Sequence, residues 1–595
     1  MRTLKARIGM LLVLGLSVAP AISYVESSSG FQTPALDGGR TELEFADIND
    51  DGNVDILSIG DHGNPYINTQ EHGIMVWFGD GRGNWSVYQD GDFGYGGIAV
   101  GDVNNDGKLD VGCGMHHNYA QPGQMGDSIL TVGLGDGTGR NWTPWDDGLA
   151  THGEDWGMFG TDFADVNNDG WLDLISNSFG YGAGVHVYLN YQNGYWDQSY
   201  GFTGANSMED AVFGDVNNDG NTDFAVGNQY ATVCFGDGTG SFTSAHRNLP
   251  GQGNGGYTSV SLGDIDNDGG RDLALVRGDT IDVWRWNSAG DSWVNARGNL
   301  PMSGYEAVQL CVMDGDGNMD LVGLGSHAGT VWSGDGAGHW TQAASFTTPT
   351  PGYSAALRCG GDVDHNGFPD IALVDDEGTW PSDRNVAHCF KEASVPTSLQ
   401  IAGMLPRGGE RFYSGSVQFV DWICAVPAGD TARVLLELSV AGSGGPWTLI
   451  ADTLKNSGRF QWAVPDNPSN DCRVRYIATT RHGADTAVTP RSFTILPSTG
   501  AGESPKARSG GRLRARVSPN PVQDRAVLSY ELPASSWVRI TLHDATGREL
   551  NVLRGGREAA GGHSLPLDLA RTRSGVYFCQ VQTEQGGTLQ KLVVP

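Results

Sequence analysis

Asp102 to Asp110 reads DVNNDGKLD, and near copies begin at Asp165 (DVNNDGWLD) and Asp215 (DVNNDGNTD). Acidic and amide side chains stand at alternate positions, a glycine holds the sixth, and an aspartate at the ninth opens an apolar run. Four more copies are legible: DINDDGNVD from Asp47, DIDNDGGRD from Asp264, VMDGDGNMD from Val312 and DVDHNGFPD from Asp362. Their starts lie 48 to 63 residues apart, a period that signals stacked or radial units rather than independent domains.

Positions one, three, five and nine supply oxygen donors. They are Asp47, Asn49, Asp51 and Asp55 in the first copy, and Asp102, Asn104, Asp106 and Asp110 in the second. The third holds Asp165, Asn167, Asp169 and Asp173; the fourth, Asp215, Asn217, Asp219 and Asp223. The fifth holds Asp264, Asp266, Asp268 and Asp272; the seventh, Asp362, Asp364, Asn366 and Asp370. The sixth keeps Asp314, Asp316 and Asp320 but begins at Val312, so its site is expected to be weak or empty. Two carboxylates about 4 Å apart repel by roughly 4 kcal/mol at an effective dielectric near 20, so three in one loop call for a cation between them. All-oxygen ligation with several carboxylates suits Ca2+, whereas zinc or copper would want His or Cys. Six or seven Ca2+ sites are therefore expected. The loop is not an EF-hand, which wants an acid at position twelve where the first four copies have Ser58, Cys113, Ser176 and Val226.

Position nine instead opens a strand, as in DILSIG, DVGCGM and DLISNS, so each loop is expected inside a hairpin. A strand-like run such as IAVGDV or AVFGDV precedes the loop. A third strand and a GDG-type turn follow, as in VWFGDGRGNW, VGLGDGTGRNW and VCFGDGTGSF. Four strands per unit, seven units and no helical periodicity predict an all-β fold, a seven-bladed β-propeller whose ring hides most sheet edges. Over 31–393 these residues resemble the FG-GAP/VCBS repeat family of integrin α-chain heads and many bacterial surface proteins. The resemblance implies calcium loops on one face of the propeller. The seventh unit lacks the GDG turn, and Phe31–Leu36 is expected to supply its outer strand, because Phe31 lies 16 residues before Asp47 much as Trp85 lies 17 before Asp102.

On the opposite face, shortly before each loop, stand Tyr95, Trp156, Tyr257, Tyr305 and Tyr353, in register with Arg40 and Met208. Aromatics near the axis suit stacking on a sugar ring or clamping a side chain, or else packing one blade on the next. His62, His72, His116, His117 and His152 are placed on the same face beside Glu154, Asp155, Glu209 and Glu306, and read as surface histidines. Arg277-Gly278-Asp279 and the LPxTG-like Leu496 to Gly500 read as accidents of composition. No phosphate-binding glycine loop, GxSxG elbow or catalytic triad is legible.

Residues 397–496 alternate as short strands and resemble a fibronectin type III or Ig-like sandwich, expected as a spacer with Trp422, Trp447 and Trp462 in its core. A Gly/Ser/Pro-rich linker spans 497–514. Residues 515–595 resemble the type IX secretion C-terminal sorting domain in Pro519-Asn520-Pro521, Asp544-Ala545-Thr546-Gly547-Arg548, Gly575-Val576-Tyr577-Phe578 and the final KLVV. At the other end, basic MRTLKAR, an apolar run and Ala19-Pro20-Ala21 read as a secretory signal over 1–21. No later stretch is long and apolar enough for a transmembrane helix. The net charge of -32 argues against nucleic acid or an anionic membrane as partner. Eight cysteines are too few for a disulfide scaffold. Cys359/Cys389 and Cys424/Cys472 are read as bridges or as buried thiols.

The expected protein is monomeric, secreted and held at a bacterial outer-membrane surface, delivered by secretion machinery that reads its last domain. Its expected function is non-catalytic binding or adhesion to an extracellular glycan or protein. The alternatives are a polysaccharide lyase or dehydratase and a structural surface-layer component, since fold alone does not decide function.

Overall fold

The computed structural model describes residues 22–594 apart from 32–40, 60–72, 90–95, 116–124, 127, 153, 155–157, 179–183, 204–207, 229–231, 251–258, 326–327, 349–352, 378–383, 499–513, 519–524, 533–535, 545–547, 559–560, 570–571 and 584–585. The expected signal at 1–21 and most of the linker lie outside the described residues, which form two compact units that divide at Gly502. Among the described residues no helix is long and apolar enough to cross a membrane.

The first unit begins with seven antiparallel sheets of four strands. Blade one comprises Leu43–Ala46, Asp55–Ile59, Ile74–Gly79 and Trp85–Gln89. Blades two to six repeat this order, opening with Gly96–Gly101, Met158–Ala164, Met208–Gly214, Val260–Gly263 and Ala307–Cys311. Blade seven is Tyr353–Cys359, Ile371–Glu377, Arg384–Glu392 and, from the other end of the chain, Tyr24–Glu26. Each first strand lies against the next, and Tyr353–Cys359 returns to Leu43–Ala46, so the ring is closed. Second strands are almost wholly buried, as in DILSI, and third strands range from wholly buried, as in IMVWFG, to half-buried, as in TIDVWRWN, because the faces of each blade pack on neighbours.

The closing strand is not the expected one. Tyr24 pairs with Glu392 and Glu26 with Phe390, whereas Phe31 packs on the rings of Trp77 and Trp85 at 5.3 and 5.1 Å. Phe31 matches Trp85 in spacing but touches it in space; residues 32–36 lie outside the described residues.

Two polar devices hold the ring. Turn tryptophans donate to the blade before them: Trp196 Nε1 to Trp145 O, Trp293 Nε1 to Ala245 O, and Trp340 Nε1 to Ala296 O. Trp85 Nε1 donates to Ser27 O at 2.7 Å, just beyond the closing strand, which completes the pattern for blades seven and one. Around the axis, first-strand amides would face the channel unpaired, and side chains of a preceding blade accept from them. Glu42 takes Ile98 and Thr161, Asp162 takes Phe213, and Asp210 takes Val260. Ser259 and Ser261 take Val308 and Leu310, and Gln309 takes Cys359.

Residues 397–496 form a three-stranded sheet (Gln400–Leu405, Val417–Ala425, Arg459–Ala463) against a six-stranded one, with Trp422, Trp462, Tyr476 and Leu436 between them. Trp447 lies outside that core, under the Arg475 guanidinium at 4.4 Å. Cys424 and Cys472 lie in this core as free thiols, and Cys359 and Cys389 are likewise free and buried. The second unit is a separate sandwich, with Arg514–Ser518, Arg525–Leu532 and Gly561–Asp568 in one sheet and four strands, Ser536–Asp544 among them, in the other. Its core gathers Leu528, Tyr530, Val538, Ile540, Cys579 and Leu592.

Candidate metal loops and the module that covers them

Every loop of the repeat joins the first and second strands of its blade, and all seven share one backbone path. The fourth position is left-handed in each, with φ from 51° to 74° at Asp50, Asn105, Asn168, Asn218, Asn267, Gly315 and His365. Asn, Asp and Gly tolerate that region best, which accounts for the residue types there. The sixth-position glycines have φ from 84° to 99°. In six loops the first-position aspartate accepts from the amides of positions five and six, as Asp47 does from Asp51 and Gly52 at 2.8 Å each. The sixth loop has Val312 there, and Asp314 accepts instead from Asp316 N and Ser333 Oγ.

The ninth-position aspartates are between 0% and 3% exposed. Each holds at least two backbone donors: one from the loop's second residue and one from the third strand, as Asp55 holds Ile48 and Gly79, with a third from the loop at Asp223 and Asp320. They are therefore structural staples as well as candidate ligands, since Oδ1 accepts a single donor and keeps a second lone pair. Burial pushes Asp55 up to about 8, and Asp110 and Asp320 up to about 7. Among first-position aspartates burial raises Asp47 to about 6 and Asp215 to about 7.

Three loops bring a set of carboxylate oxygens within 4.8 Å of one another: Asp264, Asp266 and Asp268; Asp314, Asp316 and Asp320; Asp362, Asp364 and Asp370. In the first four loops the third position is an amide, so Asn49, Asn104, Asn167 and Asn217 would add neutral oxygens. The donor set is all oxygen, and Asp266 Oδ1 and Asp364 Oδ1 are buried without a hydrogen-bond partner. These features fit a hard cation such as Ca2+, which tolerates irregular ligation.

The 397–496 module is not a spacer: it sits on the loop face and touches every loop. Lys455 Nζ lies 2.9 Å from Asp50 Oδ2. Gln461 exchanges two hydrogen bonds with the Asp102 backbone, and Val417 N donates to the Asp165 carboxylate at 2.9 Å. Asn218 reaches Gly409 O, Arg407 reaches both Asn267 and Gly317, and Val426 N donates to His365 O. The bends are bare where the module approaches: a Cβ on Gly269 would run into the Gly409 backbone, and one on Gly367 would lie 2.7 Å from Ala425 Cβ. Alternating strands identify a sandwich, but nothing in their pattern announces where it docks.

Between this cap and the first strands lies a cavity of about 490 Å³. Glu42, Glu44, Asp162 and Asp210 line it with Arg358, Asp421 and Arg459. Burial raises Glu44 to about 7 despite the Arg358 guanidinium 2.5 Å away, and Asp162 is raised too. Sequence reasoning missed these acids. Their signal was a charge inside an apolar strand, as in LEFAD and TDFAD.

Of the expected aromatic ring, Tyr305 packs edge-on against Trp332 at 5.4 Å, with its hydroxyl 3.4 Å from Thr330, in the role of a blade-packing side chain. Tyr95, Trp156 and Tyr257 lie outside the described residues, as do Arg40, His62, His72, His116, His117 and Asp155; for Tyr353 and Glu209 only the backbone is described. His186 Nδ1 lies 2.9 Å from Gln198 Oε1 and 3.5 Å from Glu154 Oε1, with both partners of the latter pair buried. Arg277-Gly278-Asp279 forms an exposed hairpin tip, and Arg277 is paired with Asp282 at 2.8 Å.

Residues 165–226 and 313–373 match the FG-GAP-like repeat, and 516–595 match the secretion system C-terminal sorting domain. No curated protein matches the chain. Among solved structures it is similar to PorZ, described as an essential bacterial surface component of the type-IX secretion system of Porphyromonas gingivalis. The identity there is 13% over 92% of this chain and 73% of that one, with a TM-score of 0.25. It is also similar to the Dos1 propeller (9% identity, 80% of this chain, 97% of that one, TM-score 0.27). A third is dimeric latent PorU from Porphyromonas gingivalis, at 11% identity over 57% of this chain and 34% of that one, with a TM-score of 0.13.

Proposed function

The chain is an FG-GAP-repeat β-propeller protein that ends in a secretion-system C-terminal sorting domain, and we propose that it is a calcium-loaded surface protein that binds an extracellular glycan or protein without transforming it. The sorting domain marks it for secretion and surface attachment. One observation carries the binding reading: the module at 397–496 occupies the loop face, so a ligand of the propeller would be met away from that face. Calcium then has a structural task, since the loops it fills are the floor on which the module rests.

Binding is favoured over catalysis by the state of the acid–imidazole pair that includes Glu154, one of the acids expected on the far face; the shorter pairs His339–Asp335 and His482–Asp430 lie in a strand-connecting turn and in the 397–496 module. His186 and Glu154 have side chains only 3% and 0% exposed, too enclosed to meet a polymer. The test is a glycan array, with a parallel panel of extracellular matrix proteins, probed with the full mature chain in calcium. Saturable binding to one ligand class is expected. Release of unsaturated sugar products from a bound polysaccharide would replace binding by lyase chemistry, and silence on both panels would favour a structural role.

A further inference from the structure

The first strands of blades six and seven set two cysteines on one seam. Along Ala307–Cys311, Val308 and Leu310 pack into the core shared with blade five, and Ala307 and Cys311 into the core shared with blade seven. Along Tyr353–Cys359, Leu357 and Cys359 face blade six, whereas Ala356 packs toward blade one. Alternation along each strand therefore turns Cys311 and Cys359 to the same seam from its two sides. The register agrees, because Gln309 Oε1, two residues before Cys311, accepts from Cys359 N. A Cβ on Gly360, the residue after Cys359, would meet the Cys311 sulfur at 3.6 Å and nothing else within 4 Å. Both cysteines border the axial chamber. Cys389 lies in the core shared with blade one, on the other side of blade seven, and does not face Cys359.

A cysteine here departs from the repeat. The residue before the loop is Ala46, Gly101, Ala164, Gly214, Gly263 or Gly361 in the other blades. A Cβ at Gly101 would lie 2.5 Å from Leu172, and one at Gly263 would lie 2.9 Å from Leu310, so small residues belong there. Cys311 has room because blade seven sets Gly360, with φ of 121°, opposite it. The loop after Cys311 has Val312 in place of its first aspartate and offers three side-chain donors where the other six offer four.

We propose that Cys311 and Cys359 form a disulfide that ties blade six to blade seven when the protein is exported, the facing thiols being its reduced state. The sorting domain marks the chain for secretion, and disulfides persist in oxidising compartments. One thiol loses its proton and attacks a protein or small-molecule disulfide, releasing the first donor thiol. The second then attacks the mixed disulfide and releases the other, so the donor is reduced to two thiols as the two cysteines are oxidised. In the closed ring burial pushes Cys311 up to about 12, and burial together with the neighbouring Cys311 raises Cys359, so thiolate is scarce there. Exchange therefore runs while the seam is still open, and the finished bond holds it shut. The bond closes a loop of about fifty residues, long enough to remove much freedom from the unfolded chain. It does not depend on calcium.

The test is a disulfide map of residues 22–595 refolded in a mixture of oxidised and reduced glutathione. Free thiols are blocked with iodoacetamide in denaturant, and unreduced peptides are read by mass spectrometry. A peptide joining Cys311 to Cys359 is expected, with the other six cysteines alkylated. Reduction should lower the melting temperature of wild type by several degrees and leave Cys311→Ser, Cys359→Ser and the double variant unmoved. Should the variants fail to fold, the wild-type map decides alone. Eight alkylated cysteines in folded wild type, or Cys359 joined to any other cysteine, would overturn the assignment.

Discussion

A carboxylate buried in a loop is uncomfortable in its ionised form unless a cation sits beside it. Desolvation raises Asp47 to about 6, Asp215 and Asp110 to about 7 and Asp55 to about 8. The sign follows from proton counting. Groups whose folded-state pKa lies above the unfolded value bind protons on folding, so the stability of the ion-free protein falls as pH rises from about 4 through 8. The proposed calcium would hold these carboxylates ionised and would have to displace their protons, so its affinity should rise over the same range. A chelated sample is therefore expected to melt at a higher temperature at pH 5.5 than at pH 8, with the dependence flattened in excess calcium. Thermal melts at several pH values check this, and a chelated protein more stable at pH 8 would refute it.

At the scale of strands, the repeat announced itself because position six must be glycine and position nine opens a buried strand. The period, the four strands and the hairpin setting of each loop were legible for that reason. What escaped was everything decided by long-range partners. Tyr24–Glu26 carries no signal of its own, yet it completes blade seven through Glu392 and Phe390, with Ser27 N donating to Cys389 O. Ser27 is also the acceptor for Trp85, so the closing segment serves two blades. The axial acids Glu42, Asp162 and Asp210 were hidden because each satisfies an amide about fifty residues or more away. Removing residues 22–28 from a chain that begins at residue 22 should expose the outer edge of Arg384–Glu392, seen as faster hydrogen exchange of those amides and a lower melting temperature. Unchanged protection there would contradict the closing role.

For the capped propeller as a whole, the loops are the docking floor and, on the proposed reading, the ion seats as well. The module donates Val417 N to Asp165 and sets Lys455 against Asp50, so loss of the ions disturbs the floor under it. One site held at a hundredfold excess over its Kd contributes about 2.7 kcal/mol, and several sites act together. For a unit of this size each kcal/mol moves Tm by roughly 2–4 °C or somewhat less. The most direct measurement is a calorimetric melt of residues 22–595 in millimolar calcium and again after EDTA. The account predicts a Tm lower by about 10 °C or more in EDTA, with propeller and cap melting together when calcium is present. A melt that EDTA leaves unchanged would contradict it.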